Sequence, residues 1–335
     1  MISAAEKLRV RTSGGEVAFI DAGARDAPPV LLLHGFPLSS FEWRDLLPLF
    51  ASRFRVIAPD LIGSGDSNKA VSHPLDARAQ AGYVRELLSE LRVEKLAVVG
   101  HSVGGAVAQL LALDGDCVEA LVLVDSVSFD PWSAEFLGEI PLGPTPSAVS
   151  DADPIVRRLF DVGMPHRTRL SEDRVAEYVR PFEGEAGAAA FVRLSASLGS
   201  ASLNGREDDL ARLEIPVLML WGEDDPFLPV DVAERLNDAI PSSTLGLLPG
   251  CGHFLVDEAS DTLGPMIFEY LRARYLRAPH GHADTSGVVA LQLERRPPWL
   301  DLVEYEKDDW FDVPEDEPAK EDRSDDANRA EGTPT

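Results

Sequence analysis

Residues Gly100-His101-Ser102-Val103-Gly104 constrain this chain more than any other stretch. An apolar run, Leu96-Ala97-Val98-Val99, leads into them, and a small-residue run, Ala106-Val107-Ala108-Gln109-Leu110-Leu111, leads away. The order reads as strand, sharp turn, helix, with a serine at the apex of a G-x-S-x-G turn. A β-carbon two residues to either side of the serine would crowd the neighbouring strand and helix, so both flanking positions are glycine. Strain in so tight a turn pushes the Ser102 hydroxyl out of the sheet and into a cleft.

A serine hydroxyl is a weak nucleophile until a base takes its proton. The chain should therefore carry an acid and a histidine further on, in the order Ser, Asp, His. Val217-Leu218-Met219-Leu220-Trp221 reads as a buried strand that runs into the acidic turn Gly222-Glu223-Asp224-Asp225-Pro226. Thr244-Leu245-Gly246-Leu247-Leu248 reads as the last strand, followed by Pro249-Gly250-Cys251-Gly252-His253-Phe254. Both loops lie beyond the carboxyl ends of strands, where open α/β sheets gather their sites. His253 is the candidate base. The acid is Asp225, its neighbour Asp224, or Asp125, which ends the strand Leu121-Val122-Leu123-Val124.

With 335 residues, 44% of them hydrophobic, the chain can form one sizeable core plus an inserted subdomain. Strands such as Val30-Leu31-Leu32-Leu33 and Val56-Ile57-Ala58 alternate with helices at Ser40–Phe50 and Asp76–Leu91, which implies a mainly parallel sheet covered on both faces. Residues 7–21 read as a hairpin around Ser13-Gly14-Gly15. From about Phe129 to Leu210 the alternation stops. Pro131, Pro141, Pro144 and Pro146 lead into helical stretches at Asp153–Gly163, Ser171–Tyr178 and Gly187–Ser200. Two cysteines, Cys117 and Cys251, form no disulfide framework. The net charge of −26 disfavours nucleic acid and anionic membranes as partners, and no apolar run approaches the ~18 residues of a membrane span. The first residues show no secretory pattern, so a cytoplasmic location is expected. No H-E-x-x-H or C-x-x-C spacing points to a metal. Gly63-Ser64-Gly65 is half of a dinucleotide fingerprint, but it follows a loop and residue 68 is Asn, so no cofactor is expected.

Six ordered motifs carry a resemblance: His34-Gly35-Phe36-Pro37, Phe41-Glu42-Trp43-Arg44, Pro59-Asp60-Leu61-Ile62-Gly63-Ser64-Gly65-Asp66-Ser67, the Ser102 turn, Trp221-Gly222-Glu223-Asp224-Asp225, and Gly252-His253-Phe254. Over about residues 10–277 the chain resembles the α/β-hydrolase superfamily, in the branch of epoxide hydrolases, haloalkane dehalogenases and related esterases. The resemblance implies an α/β-hydrolase fold, a mostly parallel sheet flanked by helices with an inserted helical lid. Residues 1–128 and 211–277 would form the core and 129–210 the lid. Trp132, Phe136, Leu137, Phe160, Met164, Phe182 and Phe191 are its candidate pocket walls.

The resemblance also assigns roles. Ser102 would be the nucleophile and His253 the base, and the Trp-Gly-x-x-Asp spacing selects Asp225 as the acid. The oxyanion hole would use the backbone N–H groups of Phe36 and Val103. His34 and His101 would shape the surrounding loops. One departure matters: this branch commonly has an aspartate nucleophile, suited to attack at an sp³ carbon, whereas Ser102 suits attack at an acyl carbon. The expected activity is thus that of a serine esterase acting on a small to medium, largely uncharged carbonyl substrate. Alternatives with the same three residues are a C–C bond hydrolase, which would need cations such as Arg180 or Arg193 for a substrate carboxylate, a cofactor-free perhydrolase, or a non-catalytic ligand- or partner-binding member. Residues 278–335 hold 16 acidic and 6 basic side chains and too few apolar ones for a packed core. They are expected to be a disordered acidic tail, with the islets at Trp299 and Trp310 as contacts for a protein partner.

Overall fold

Eight strands form one sheet in the order β1-β2-β4-β3-β5-β6-β7-β8. They are β1 (Leu8–Thr12), β2 (Gly15–Ala22), β3 (Pro29–Leu33), β4 (Arg55–Pro59), β5 (Leu96–His101), β6 (Val118–Val124), β7 (Val217–Gly222) and β8 (Ser243–Leu248). The β1–β2 hairpin joins β4 antiparallel, and every other pairing is parallel. The computed structural model describes residues 7–69, 72–129, 132, 136, 151–165, 170–198, 203 and 205–276. Residues 278–335, with Trp299 and Trp310, lie outside the described residues, as do Leu137, Pro131, Pro141, Pro144 and Pro146.

Among the described residues the longer helices are α1 (Ala77–Glu90), α2 (Val103–Leu113), α3 (Asp153–Gly163), α4 (Glu172–Val179), α5 (Gly184–Ser197), α6 (Val230–Ala239) and α7 (Ser260–Arg274). Asp76 caps α1 by accepting a hydrogen bond from Ala79 N at 3.1 Å, which satisfies one of the helix's free donors. The helix expected at Ser40–Phe50 is two pieces instead, a 3₁₀ segment at Ser40–Asp45 and a single α turn at Leu47–Phe50. Pro48 stands in the first turn of the second piece. It has no N–H to donate to the preceding segment, so the helix restarts around it. In the inserted region, α5 begins and ends three residues earlier than Gly187–Ser200.

Both faces of the sheet are buried. Leu31, Leu33, Val98, Leu121, Leu123 and Met219 pack on one side, with α1, α2 and the helices of the insert. Their strand neighbours Val30, Leu32, Val99, Val122, Val124 and Leu220 pack on the other, against Leu263, Ile267 and Leu271 of α7. This alternation explains why the central strands are apolar at every position.

The strand order also fixes where a site can form. From β3 the chain crosses to β4 on one side, then returns to β5 on the other. A crevice opens where the winding reverses, at the carboxyl ends of β3 and β5. The register keeps those ends level: Leu33 lies opposite Gly100, His101 opposite Val124, and Gly222 opposite Leu248.

Candidate active site

Ser102 stands at that crevice, between β5 and α2, with φ of 55° and ψ of −121°. A non-glycine residue in this region stores about 1–3 kcal/mol of strain, which the surroundings must hold in place. Its neighbours show how. A β-carbon at Gly104 would come within 2.3 Å of Leu33 O and 2.6 Å of His34 O, and one at Gly100 within 2.5 Å of Gly104 O. These obstacles are backbone and cannot turn aside, so the elbow closes only with glycine at both positions. Ser102 N donates to Val124 O at 3.0 Å and Ser102 O accepts from Val127 N at 3.1 Å, tying the turn to the end of β6.

The structure brings Ser102, His253 and Asp225 together. His253 Nε2 lies 3.0 Å from Ser102 Oγ, and His253 Nδ1 lies 2.8 Å from Asp225 Oδ2. Asp225 Oδ1 accepts from Phe227 N at 2.8 Å and Leu228 N at 3.0 Å, so the carboxylate cannot rotate freely. With Nδ1–H directed at the carboxylate, Nε2 is left as the acceptor facing the serine hydroxyl. The loops after β7 and β8 are laced by Glu223 N to Leu248 O at 3.1 Å and Asp224 N to Cys251 O at 2.9 Å. His253 N in turn donates to Gly163 O, at the end of α3, at 2.8 Å.

The rival acids are separated by geometry. Asp125 is fully buried at the end of β6, and its Oδ1 accepts from Gly222 N at 2.8 Å while Oδ2 meets no donor. Burial, and then the charge of Asp225, push its carboxyl well above the usual range. Asp224 meets the His253 loop through its backbone.

Phe36 and Val103 flank Ser102 from the ends of β3 and β5. Among the described residues neither backbone N–H has a hydrogen-bond acceptor, which is ordinary for Val103 at the first turn of α2 but rare for the buried Phe36. Phe36 is held by its loop: Gly35 N donates to Glu42 Oε2 at 3.2 Å, and Leu38 N to Gly35 O at 3.0 Å. His34 accepts from Leu61 N through Nε2 at 2.9 Å, and its Nδ1 meets Gly35 O at 2.8 Å. Burial lowers its pKa, which fits this neutral tautomer. His101 Nε2 reaches His253 O at 2.8 Å, while its Nδ1 lies 2.6 Å from Glu42 Oε1 in a contact off the hydrogen-bond axis.

Glu42 is the residue that sequence reasoning missed. It was visible only inside the Phe41-Glu42-Trp43-Arg44 motif, where a lone acid between aromatics is the signal of a buried, partnered charge. A second cluster was missed with it. Arg44 pairs with Asp257, Arg44 Nη1 donates to Tyr178 OH at 2.9 Å, and Tyr178 OH donates to Asp257 Oδ2 at 2.7 Å. It links α4 to the segment that follows His253.

A cavity of about 30 Å³ lies against the Phe36 and Val103 positions, with walls that include Ser64, Gln80, Leu194 and Leu198. None of the described candidate wall residues of the insert reaches it. Trp132 and Phe136 stack with ring centres 4.0 Å apart, and Trp132 and Phe227 meet the His253 ring edge-on at 5.8 and 5.3 Å. Phe160 packs on Phe254, Phe182 on Phe191, and Met164 is buried. Phe191 also packs behind the cavity on Phe36, with ring centres 5.3 Å apart, while the part of the wall that the insert supplies comes from the end of α5. Ser102 and His253 are themselves fully covered, each 0% exposed. Arg180 is engaged by Asp66 and Glu177, and Arg193 by His73 O; neither lines the cavity.

Fold and site together define the class of α/β hydrolases, with an elbow serine at the carboxyl edge of a mostly parallel sheet. The chain belongs to the alpha/beta hydrolase family, which it matches over residues 30–264. A soluble epoxide hydrolase of Corynebacterium sp. (strain C12) is 33% identical over 267 residues, 73% of this chain and 90% of the relative. Haloalkane dehalogenase 2 of Mycobacterium tuberculosis (strain ATCC 25618 / H37Rv) is 27% identical over 271 residues, 77% of this chain and 92% of its own. A crystal structure of an alpha/beta hydrolase fold protein from Burkholderia ambifaria matches with a TM-score of 0.69 at 29% identity, over 80% of this chain and 98% of that one. The epoxide hydrolase and the dehalogenase among these relatives support the branch indicated by the sequence motifs. Among the described residues no helix is long and apolar enough to cross a membrane.

Proposed function

We propose that this hydrolase is a serine esterase that works through an acyl-enzyme. Ser102 Oγ attacks the carbonyl carbon of an ester as His253 Nε2 takes the hydroxyl proton. Asp225 holds the imidazole in the required tautomer and stabilises its charged form. The carbonyl oxygen, now an oxyanion, receives the N–H groups of Phe36 and Val103. Val103 is the first residue of α2, so its amide also lies at the positive end of the helix dipole. His253 then gives its proton to the leaving alcohol. In the second half-reaction water, deprotonated by His253, attacks the acyl carbon and releases the acid and Ser102.

The observation that carries this reading is the unbroken line from Asp225 Oδ2 through His253 to Ser102 Oγ, with steps of 2.8 and 3.0 Å. A serine in that line favours acyl chemistry over the alkyl chemistry of an aspartate nucleophile. The C–C hydrolase reading is the weaker one, because no arginine or lysine lines the cavity to receive a substrate carboxylate. The helices α3 to α5 serve in this reading as the lid over the site.

Incubation with a fluorophosphonate and mass spectrometry of the adduct tests the mechanism. Label is expected on Ser102, with loss of p-nitrophenyl acetate hydrolysis in proportion to labelling and in Ser102→Ala. Active protein that carries no label on Ser102 would sink the proposal.

A further inference from the structure

We infer that the cavity beside Phe36 and Val103 is an acyl pocket that accepts short, uncharged acyl chains, with Leu194 and Leu198 setting the length limit. The inference rests on the serine esterase reading and goes beyond it in naming the substrate class.

The stereochemistry of the attacked carbon assigns the pocket. In an ester that carbon bears an oxygen, a leaving alkoxy group and an acyl chain. The oxygen goes to the two free amides. The leaving group must face His253 Nε2, which protonates it. The acyl chain therefore points away from His253. The cavity touches both amide residues, Val103 next to Ser102 among them, while Ser102 itself, His253 and the aromatics packed on His253, Trp132, Phe227 and Phe254, are not among its walls, so it begins one residue beyond the nucleophile on the side of the amides. It lies on the acyl side.

Its size and chemistry then define the chain. A volume of about 30 Å³ holds about two waters, or roughly two to three carbon atoms beyond the carbonyl. The walls are Leu61, Leu75, Val107, Leu194 and Leu198 with a few polar groups, most of them already engaged. Gln80 Oε1 accepts from Ile62 N at 3.0 Å and Gln80 Nε2 donates to Ile62 O at 2.8 Å. His34 is neutral and occupied by Leu61 N and Gly35 O. A carboxylate or ammonium on the acyl chain would find no counter-charge here and would lose its hydration. The Gln80 wall is held by its two bonds to the Ile62 backbone, and Leu194 closes the far side by packing over Gly63, where an added β-carbon would meet it at 3.2 Å. Neither side can yield to a longer chain without moving α5.

The test is a chain-length series of p-nitrophenyl esters from acetate to octanoate, with wild-type protein, Leu194→Ala and Ser64→Val, each also labelled with fluorophosphonate. For wild type, kcat/KM is expected to be highest between acetate and butyrate and to fall about 10-fold or more at hexanoate. Leu194→Ala should raise the hexanoate-to-butyrate ratio about 10-fold. Ser64→Val adds methyl groups to the same space and should lower butyrate against acetate, so the pocket is probed even if the first variant fails to fold. Wild type that hydrolyses octanoate as well as butyrate, or length profiles that both variants leave unchanged while Ser102 is still labelled, would overturn the acyl pocket alone. Failure of Ser102 labelling together with failure to hydrolyse acetate would overturn the esterase reading and the pocket with it.

Discussion

His101 Nδ1 lies 2.6 Å from Glu42 Oε1 in the interior of the protein, and this pair joins three loops that the candidate chemistry needs in register. His101 precedes Ser102, its Nε2 reaches the carbonyl of His253, and Glu42 Oε2 accepts from Gly35 N beside the Phe36 amide. Burial opposes a charge on His101, but the charge and contact of Glu42, helped by the His253 carbonyl, outweigh it and raise its pKa above the usual 6.5. The pair therefore contributes stability that is fully present below about pH 6.5 and is lost as pH rises through the folded value. Glu42→Gln is expected to remove that dependence and to lower kcat for a short ester about 10-fold through the Phe36 loop. Thermal melts of both proteins at pH 6 and pH 9 check the first point and steady-state kinetics the second. A stability gap that stays constant with pH would remove the charge from the account.

The two acids near His253 should respond differently to the loss of charge. Asp225→Asn removes the acceptor that fixes the His253 tautomer, and ester turnover is expected to fall about 10⁴-fold with the fold intact. Asp125→Asn keeps an oxygen for Gly222 N and should leave turnover within about 10-fold of wild type. Circular dichroism and kcat for both variants decide the matter. A larger loss at Asp125 would place the acid on the other strand.

Glu258 supplies a pH dependence of the opposite origin. Its Oε1 accepts from Gly252 N at 2.9 Å, Oε2 has no partner, and burial pushes its pKa from 4.5 to about 7. Between those values the folded chain keeps a proton that the unfolded chain has released. Stability is therefore greatest below pH 4.5, falls across that window by up to about 3 kcal/mol, and is level above pH 7. Glu258→Gln should melt higher relative to wild type at pH 8 than at pH 5. Equal differences at the two pH values would show that the carboxyl titrates normally.

Arg44, Asp257 and Tyr178 form the tie between α4 and the core. Arg44→Met leaves the Asp257 carboxyl buried beside Tyr178 without its cation, and urea unfolding should register a loss of about 3–5 kcal/mol. Adding Asp257→Asn removes the stranded charge and should restore most of that loss. If the double variant is no more stable than Arg44→Met, the cost lies in packing rather than in charge.

The parts of this molecule set by local rules were legible in the sequence. Hard sterics at Gly100 and Gly104, alternating apolar strands, and the Asp76 cap each leave a mark within a few residues. So did Ser102, Asp225 and His253, because each follows a strand in a fixed order. Glu42 left little trace, since its value depends on His101 and Gly35 meeting it in space. Asp257 is 213 residues from Arg44, and no periodicity connects them. The walls of the cavity left little trace for a related reason. Large aromatics in the insert stood out as candidate lining, yet Trp132 and Phe136 stack on each other, Trp132 meets the His253 ring and Phe136 meets Phe227. Leu194 and Leu198, ordinary core leucines in sequence, were singled out only by where α5 ends.

Ser102 and His253 are sealed at rest, and that has a consequence for the second half of the proposed reaction. Water is a reactant there, and it has to reach a serine that the surrounding side chains cover. While the acyl group stays bound, whichever small hydroxyl compound enters first takes it. In the proposed reaction the burial of Ser102 and His253 thus sets a competition between hydrolysis and transfer to an alcohol, and the lifetime of the acylated serine becomes a measure of how readily water reaches it.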